Sequence, residues 1–111
     1  MTPEDFRRLA LRMPEAVEGS HMENIDFRVG GKIFASLWDD DEHGMVRLTP
    51  ELQEEYVAAH PDAFAPVKGA WGLQGCTRVC LAEADEAVLA GAMRAAWRHR
   101  APKSLLREHG E

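Results

Sequence analysis

Ile25-Asp26-Phe27-Arg28-Val29-Gly30-Gly31-Lys32-Ile33-Phe34-Ala35-Ser36-Leu37 reads as a β-hairpin. Ile25, Phe27 and Val29 alternate with polar residues, and Ile33, Ala35 and Leu37 do the same, the mark of two half-buried strands. Gly30-Gly31 between them supplies the positive φ that a tight reversal needs. Parity then limits the loop. A two-residue turn pairs Val29 with Lys32 and sets Ile25 and Phe27 on the face of Phe34 and Ser36. An odd-length loop, with a bulge, pairs Phe27 with Ile33 or Ala35 and gathers Ile25, Phe27, Ile33, Ala35 and Leu37 on one face. Burial of one face fixes register, so the odd-length loop is the expectation. Asp26, Arg28, Phe34, Ser36 and Trp38 are then expected on the outer face.

Working outward, His21 to Val29 is expected as one strand, with an irregularity near Met22. The acidic run Asp39-Asp40-Asp41-Glu42-His43-Gly44 leads into a third strand, Gly44 to Leu48. Connections this short make the three strands an antiparallel meander. On the N-terminal side, Thr2-Pro3-Glu4-Asp5 starts a helix, with Thr2 as cap and Asp5 reaching back. Phe6, Leu9, Ala10 and Met13 form its apolar stripe, and Glu15 to Gly19 reads as a connection. Thr49-Pro50-Glu51 repeats the same start chemistry for a second helix, which His60-Pro61 stops. Asp62 to Gly75 is irregular, with a short strand near Phe64–Lys68 or Ala70–Leu73. Thr77, Val79 and Leu81 alternate as a firmer strand. Asp85 caps a last long helix with Val88, Leu89, Ala92, Met93 and Ala96 on its stripe, and a further turn or two follows Pro102. The order is α-β-β-β-α-β-β-α, a two-layer α+β domain with a five-stranded antiparallel sheet, spanning residues 1–111 as one unit.

The residues carry little local chemistry. Asp39, Asp41 and Gly44 fall on the first, third and sixth positions of an EF-hand frame, but His43 and Pro50 stand where the other acidic ligands are needed, so the run reads as a solvated loop. His21, His43, His60, His99 and His109 form no close ligand pair. Cys76 and Cys80, four apart on a strand, are about 13 Å from each other, too far for a disulfide, and read as free thiols. Ser20, Ser36 and Ser104 lack a nucleophile-elbow context. No catalytic residue, metal or cofactor is expected. The stretch Met1-Thr2-Pro3-Glu4-Asp5 has neither the basic nor the apolar part of a signal peptide, and no apolar run is long enough to span a bilayer. A cytoplasmic protein without membrane contact is therefore the expectation.

Charge gives the best functional clue. The net charge is −6, yet Arg94, Arg98, Arg100, Lys103 and Arg107 lie together near one end without an intervening acid. Cations suit the C-terminal end of a helix, and they also make a footprint for phosphate or an acidic partner. Trp97 reads as core. Trp71, among glycines, is expected to plug the sheet edge, the alternative being an exposed stacking platform.

Several pieces in order carry a resemblance: Phe27 to Ala35, His60-Pro61-Asp62-Ala63-Phe64, Ala70-Trp71-Gly72 with Gly75, Ala96-Trp97, and Ala101-Pro102-Lys103. Together they resemble the MmcQ/YjbR family over nearly the whole chain. The resemblance implies a fold like that of type III secretion chaperones, α-β(3)-α-β(2)-α, and a DNA-binding label without a known reaction or cofactor. Fold-level analogy does not fix function. The expectation is a non-enzymatic domain that contacts DNA phosphates through Lys32, Arg47, Lys68, Arg78, Arg94, Arg98, Arg100, Lys103 and Arg107, with Trp71 and His21 as stacking or ligand residues. The alternative is a chaperone-like module that meets an acidic protein surface on its open sheet face. The oligomeric state is not readable.

Overall fold

Thr2 opens α1 (Pro3–Leu11) as a reciprocal cap: its hydroxyl accepts from the Asp5 amide at 3.1 Å, and the Asp5 carboxylate accepts from the Thr2 amide at 2.9 Å. The same interaction holds Asp5 below the usual carboxylate range, helped by Arg8. Phe6, Leu9 and Ala10 are the buried stripe. The computed structural model describes residues 1–109. After α1 come β1 (Val17–His21), β2 (Asn24–Val29), β3 (Lys32–Leu37), β4 (His43–Arg47), α2 (Pro50–Ala59), β5 (Phe64–Pro66), α3 (Ala70–Leu73), β6 (Cys76–Cys80), α4 (Glu86–Arg100) and α5 (Lys103–Glu108). The strands pair antiparallel in the order β1-β2-β3-β4-β6-β5. The α+β class and the β2-β3-β4 meander agree with the sequence.

The sheet has six strands rather than five. Residues expected as one strand from His21 to Val29 are broken at Met22-Glu23, whose φ values of 49° and 71° make a two-residue reversal. The supposed connection before it becomes β1. The irregularity expected near Met22 is therefore present, but without a glycine to announce it the sequence pattern does not show it as a full reversal. The Gly30-Gly31 hairpin also differs from expectation. Its turn has two residues, Val29 pairing with Lys32, and the odd residue sits inside the ladder as a bulge, with Arg28 opposite Ile33 and Phe27 opposite Ala35. The bulge restores the parity that core burial demands for Ile25, Phe27, Ala35 and Leu37. It also exchanges two side chains: Phe34 joins the core, and Ile33 goes to the outer face. Of the two placements for the irregular stretch, Phe64–Pro66 is the strand, and Ala70–Leu73 is a single helical turn.

α1 and α4 pack against β3 and β4. Between these layers lie Phe6, Phe27, Phe34, Val46, Val79, Met93 and Trp97, all fully buried. Phe6 and Phe27 approach at 6.2 Å between ring centroids, within the range of a favourable aromatic pair. Cys76 and Cys80 are free. Among the described residues, no helix is long and apolar enough to cross a membrane.

Candidate functional site

Alternation along the strands sends a second set of side chains away from the core. Register aligns Asp26, Ser36, Met45 and Arg78 across β2, β3, β4 and β6, with Arg28 beside Ile33 and Arg47 beside Cys76 in the neighbouring row. All of these outward positions except Arg78 line a groove of about 660 Å³. Trp38 and His21 close one side. Trp71, from α3, and Arg100, from the end of α4, reach it from elsewhere in the chain.

The groove is cationic within an acidic protein. Of its carboxylates, the lining holds Asp26 alone, and that one is taken: Arg28 grips it with two bonds of 2.9 and 3.1 Å. Asp26 is buried and fits because Gly19 faces it, where a β-carbon would stand 2.9 Å from its Oδ1. Two of the other cations donate to neutral oxygens. Arg47 donates to Gln74 Oε1 at 3.2 Å, and Arg100 donates through Nε to the Ile33 carbonyl at 3.1 Å. Among the described residues no carboxylate pairs with Lys32, Arg47 or Arg100. Nε of Arg47 is buried and has no hydrogen-bond partner among the described residues.

Neighbouring titrations register this field. Burial and then the Arg47 charge lower Arg100. Burial pushes the Cys76 thiol up, against the pull of Arg47 and Arg100. His99 is lowered by burial first, and then by Arg100, Arg47 and Lys32. The native state therefore binds the His99 proton more weakly than the unfolded chain does. Its share of stability is complete above the ordinary histidine value of about 6.5 and is lost as pH falls from there through the folded-state value. An NMR titration is expected to place His99 below that ordinary value and to move it upward in Arg100→Gln. A titration that does not respond to Arg100→Gln would refute convergence of these charges.

Trp71 is 61% exposed. It does not plug the sheet edge as expected but stands exposed, as the alternative required. Its segment is anchored beneath by Gln53, a buried side chain of α2 whose amide donates to the Gly72 and Cys76 carbonyls, each at 3.0 Å. Both carbonyls also accept from backbone amides, Gly75 on Gly72 and Val67 on Cys76, so Gln53 adds a second bond that ties α2 to both segments. No sequence motif points to Gln53. Trp38 and Arg28 were legible only as outer-face residues.

Of the residues expected to bind, Lys32, Arg47, Arg100, His21 and Trp71 come together in the groove. Arg78 is half-buried on the same sheet face, outside the lining, and Lys68 is exposed on the loop before α3. Arg94 and Arg98 are exposed on α4, whose buried residues face the core, and Lys103 and Arg107 are exposed on α5. The terminal basic run thus scatters, and Arg100 alone among its members lines the groove. The acidic loop has a local role. Asp40 accepts from the amides of Glu42 and His43, and lies 2.7 Å from His43 Nδ1. His43 is the largest cause holding the Asp40 carboxyl low.

A family model described as YjbR matches residues 11–99. The crystal structure of Deinococcus radiodurans protein DR2400, with a DUF419 domain, is similar at 21% identity over 98% of this chain and 88% of that chain, with a TM-score of 0.74. At that identity the likeness speaks for the fold. No curated protein matches.

Proposed function

The chain belongs to the YjbR family, and from that premise we propose that it is a nucleic-acid-binding module rather than an enzyme, one that holds a DNA strand across the open face of its sheet. The observation that carries this reading is the convergence of Lys32, Arg47 and Arg100, none paired with a carboxylate among the described residues, beside the exposed Trp71. Cations follow the phosphates, and an exposed indole stacks on a base of any sequence. A binding role also suits Cys76, the thiol in the groove, because its raised pKa keeps it from being a ready nucleophile. The contact set is narrower than the sequence implies.

Anisotropy of a labelled single-stranded oligonucleotide tests this directly. Three phosphate contacts predict a log–log slope of affinity against salt on the order of −2. Trp71→Ala, a change at an exposed position, is expected to cost about 1–3 kcal/mol of binding. Affinity that stays flat with salt, or a Trp71→Ala variant that binds like the parent, would sink the reading.

Asp26→Asn tests the electrostatics from the other side. It removes the one carboxylate of the lining and leaves Arg28 as a further unpaired cation. The expected outcome is tighter oligonucleotide binding and a slope steeper by about 0.7. Weaker binding at low salt would contradict the assignment.

One observation favours a second reading, a protein-docking face. Leu73, two residues from Trp71, is 82% exposed, and a nucleotide has no use for it. A partner held by Leu73 and Trp71 would bind with little dependence on salt, which the same titration distinguishes.

A further inference from the structure

We propose that Arg47 and Arg100 form a subsite for a phosphate monoester dianion attached to a planar ring: a nucleoside 5′-monophosphate, or the 5′-phosphorylated end of a strand. This deepens the nucleic-acid reading and rests on it. An internal phosphodiester carries one negative charge, whereas a monoester carries about 1.5–2 at neutral pH. Here two guanidinium groups line one groove. Among the described residues neither pairs with a carboxylate, Arg47 donating to Gln74 Oε1 and Arg100 to the Ile33 carbonyl. Burial first, and then the Arg47 charge, lower Arg100. A monoester dianion neutralises both cations at once, which a diester does not.

Donor geometry leads to the same ligand. Among the described residues Arg47 Nε is buried without a hydrogen-bond partner, and a buried donor left unmade is costly. A guanidinium whose remaining donors turn to an oxyanion makes the forked contact that phosphate favours. The nearby carboxylate does not compete, since Arg28 occupies both oxygens of Asp26. Trp71 lines the same groove and offers the face for the ring. The volume, about 660 Å³, lies within the range of sites for single small ligands, about 300–1,000 Å³.

Calorimetry on the full chain tests this with a short oligothymidylate in 5′-phosphorylated and 5′-hydroxyl forms, thymidine 5′-monophosphate, thymidine and inorganic phosphate. The phosphorylated strand is expected to bind about tenfold or more tightly than the hydroxyl form, as charge-assisted bonds predict. Thymidine 5′-monophosphate should bind more tightly than either thymidine or inorganic phosphate. Arg100→Gln should erase the preference for the phosphorylated strand, and Arg47→Gln, checked for native circular dichroism, provides a second variant with the same expectation. Free nucleotide binding as tightly as the phosphorylated strand identifies a mononucleotide site, and weaker nucleotide binding identifies a strand end. Equal affinity for the two strands overturns the subsite while leaving the strand-binding face in place. Failure of every probe to bind overturns both.

Discussion

Gly75→Ala is expected to destabilise the protein by more than about 4 kcal/mol, a size reserved for severe backbone or core disruption. Gly75 has φ of +108°, outside what an L side chain adopts comfortably, and a β-carbon there would stand 1.9 Å from the Leu48 carbonyl oxygen. That oxygen belongs to backbone fixed on both sides. The Leu48 amide donates to the Gly75 carbonyl at 3.0 Å, and Thr77 Oγ1 donates to the same carbonyl at 2.9 Å. Neither segment can retreat without breaking the junction between the end of β4 and the start of β6. Gly31 is the internal control. Its φ is +81°, but its β-carbon would meet nothing within 4 Å, so Gly31→Ala carries only left-handed backbone strain, about 1–2 kcal/mol. Urea unfolding of the two variants should show Gly31→Ala with a slightly lower midpoint and Gly75→Ala with little or no folded baseline. Similar midpoints would mean that β4 and β6 are not held this closely.

That contrast marks what can be read from a sequence. Both glycines announce a turn, and nothing in the string of letters separates the one facing solvent from the one facing a carbonyl. The alternation around Phe27 and Ala35 was legible because period-two burial repeats. The bulge at Phe34 was legible only as a parity requirement, which an odd loop or an inserted residue satisfies equally. The turn at Met22-Glu23 was legible only as an irregularity and not as a reversal, because two non-glycine residues with positive φ are held there by the pairing of β1 with β2, a tertiary effect.

The site was legible in its residue types and not in its membership. Lys32, Arg47 and Arg100 come from the tip of a hairpin, a strand end and the end of a helix. Density of charge along the chain pointed instead to the run from Arg94 to Arg107. Helical periodicity disperses that run: Ala96 and Trp97 face the core, while Arg94 and Arg98 face out. Charge clustered in sequence and charge clustered in space are separate properties, and the second is produced here by strand pairing together with the docking of the α4 end on the Ile33 carbonyl. Gln53 was invisible for the same reason, since its partners, the Gly72 and Cys76 carbonyls, are brought to it by the fold.

Trp97→Ala is expected to cost about 3–5 kcal/mol, the range for deleting a large buried aromatic, against a total stability of about 5–15 kcal/mol for a domain of this size. Trp97 is fully buried between α4 and the sheet. Its indole also donates to the Pro14 carbonyl at 2.8 Å, tying the last turns of α4 to the chain just beyond α1. Two effects are therefore combined in the alanine variant, and Trp97→Phe separates them. Phenylalanine keeps much of the ring in the core and removes the donor, so its expected cost is that of one orphaned carbonyl, about 1–3 kcal/mol. The three midpoints in urea should fall in the order parent, phenylalanine, alanine. The groove gives an independent readout. Arg100 lies one turn beyond Trp97 and is held by its own bond to Ile33, so Trp97→Phe should unfold earlier yet bind the oligonucleotide as the parent does. Loss of binding in a folded Trp97→Phe variant would instead mean that the indole sets the position of Arg100. Alanine and phenylalanine variants of equal stability would mean that the bond to Pro14, rather than the filled volume, fastens α4 to the rest of the domain.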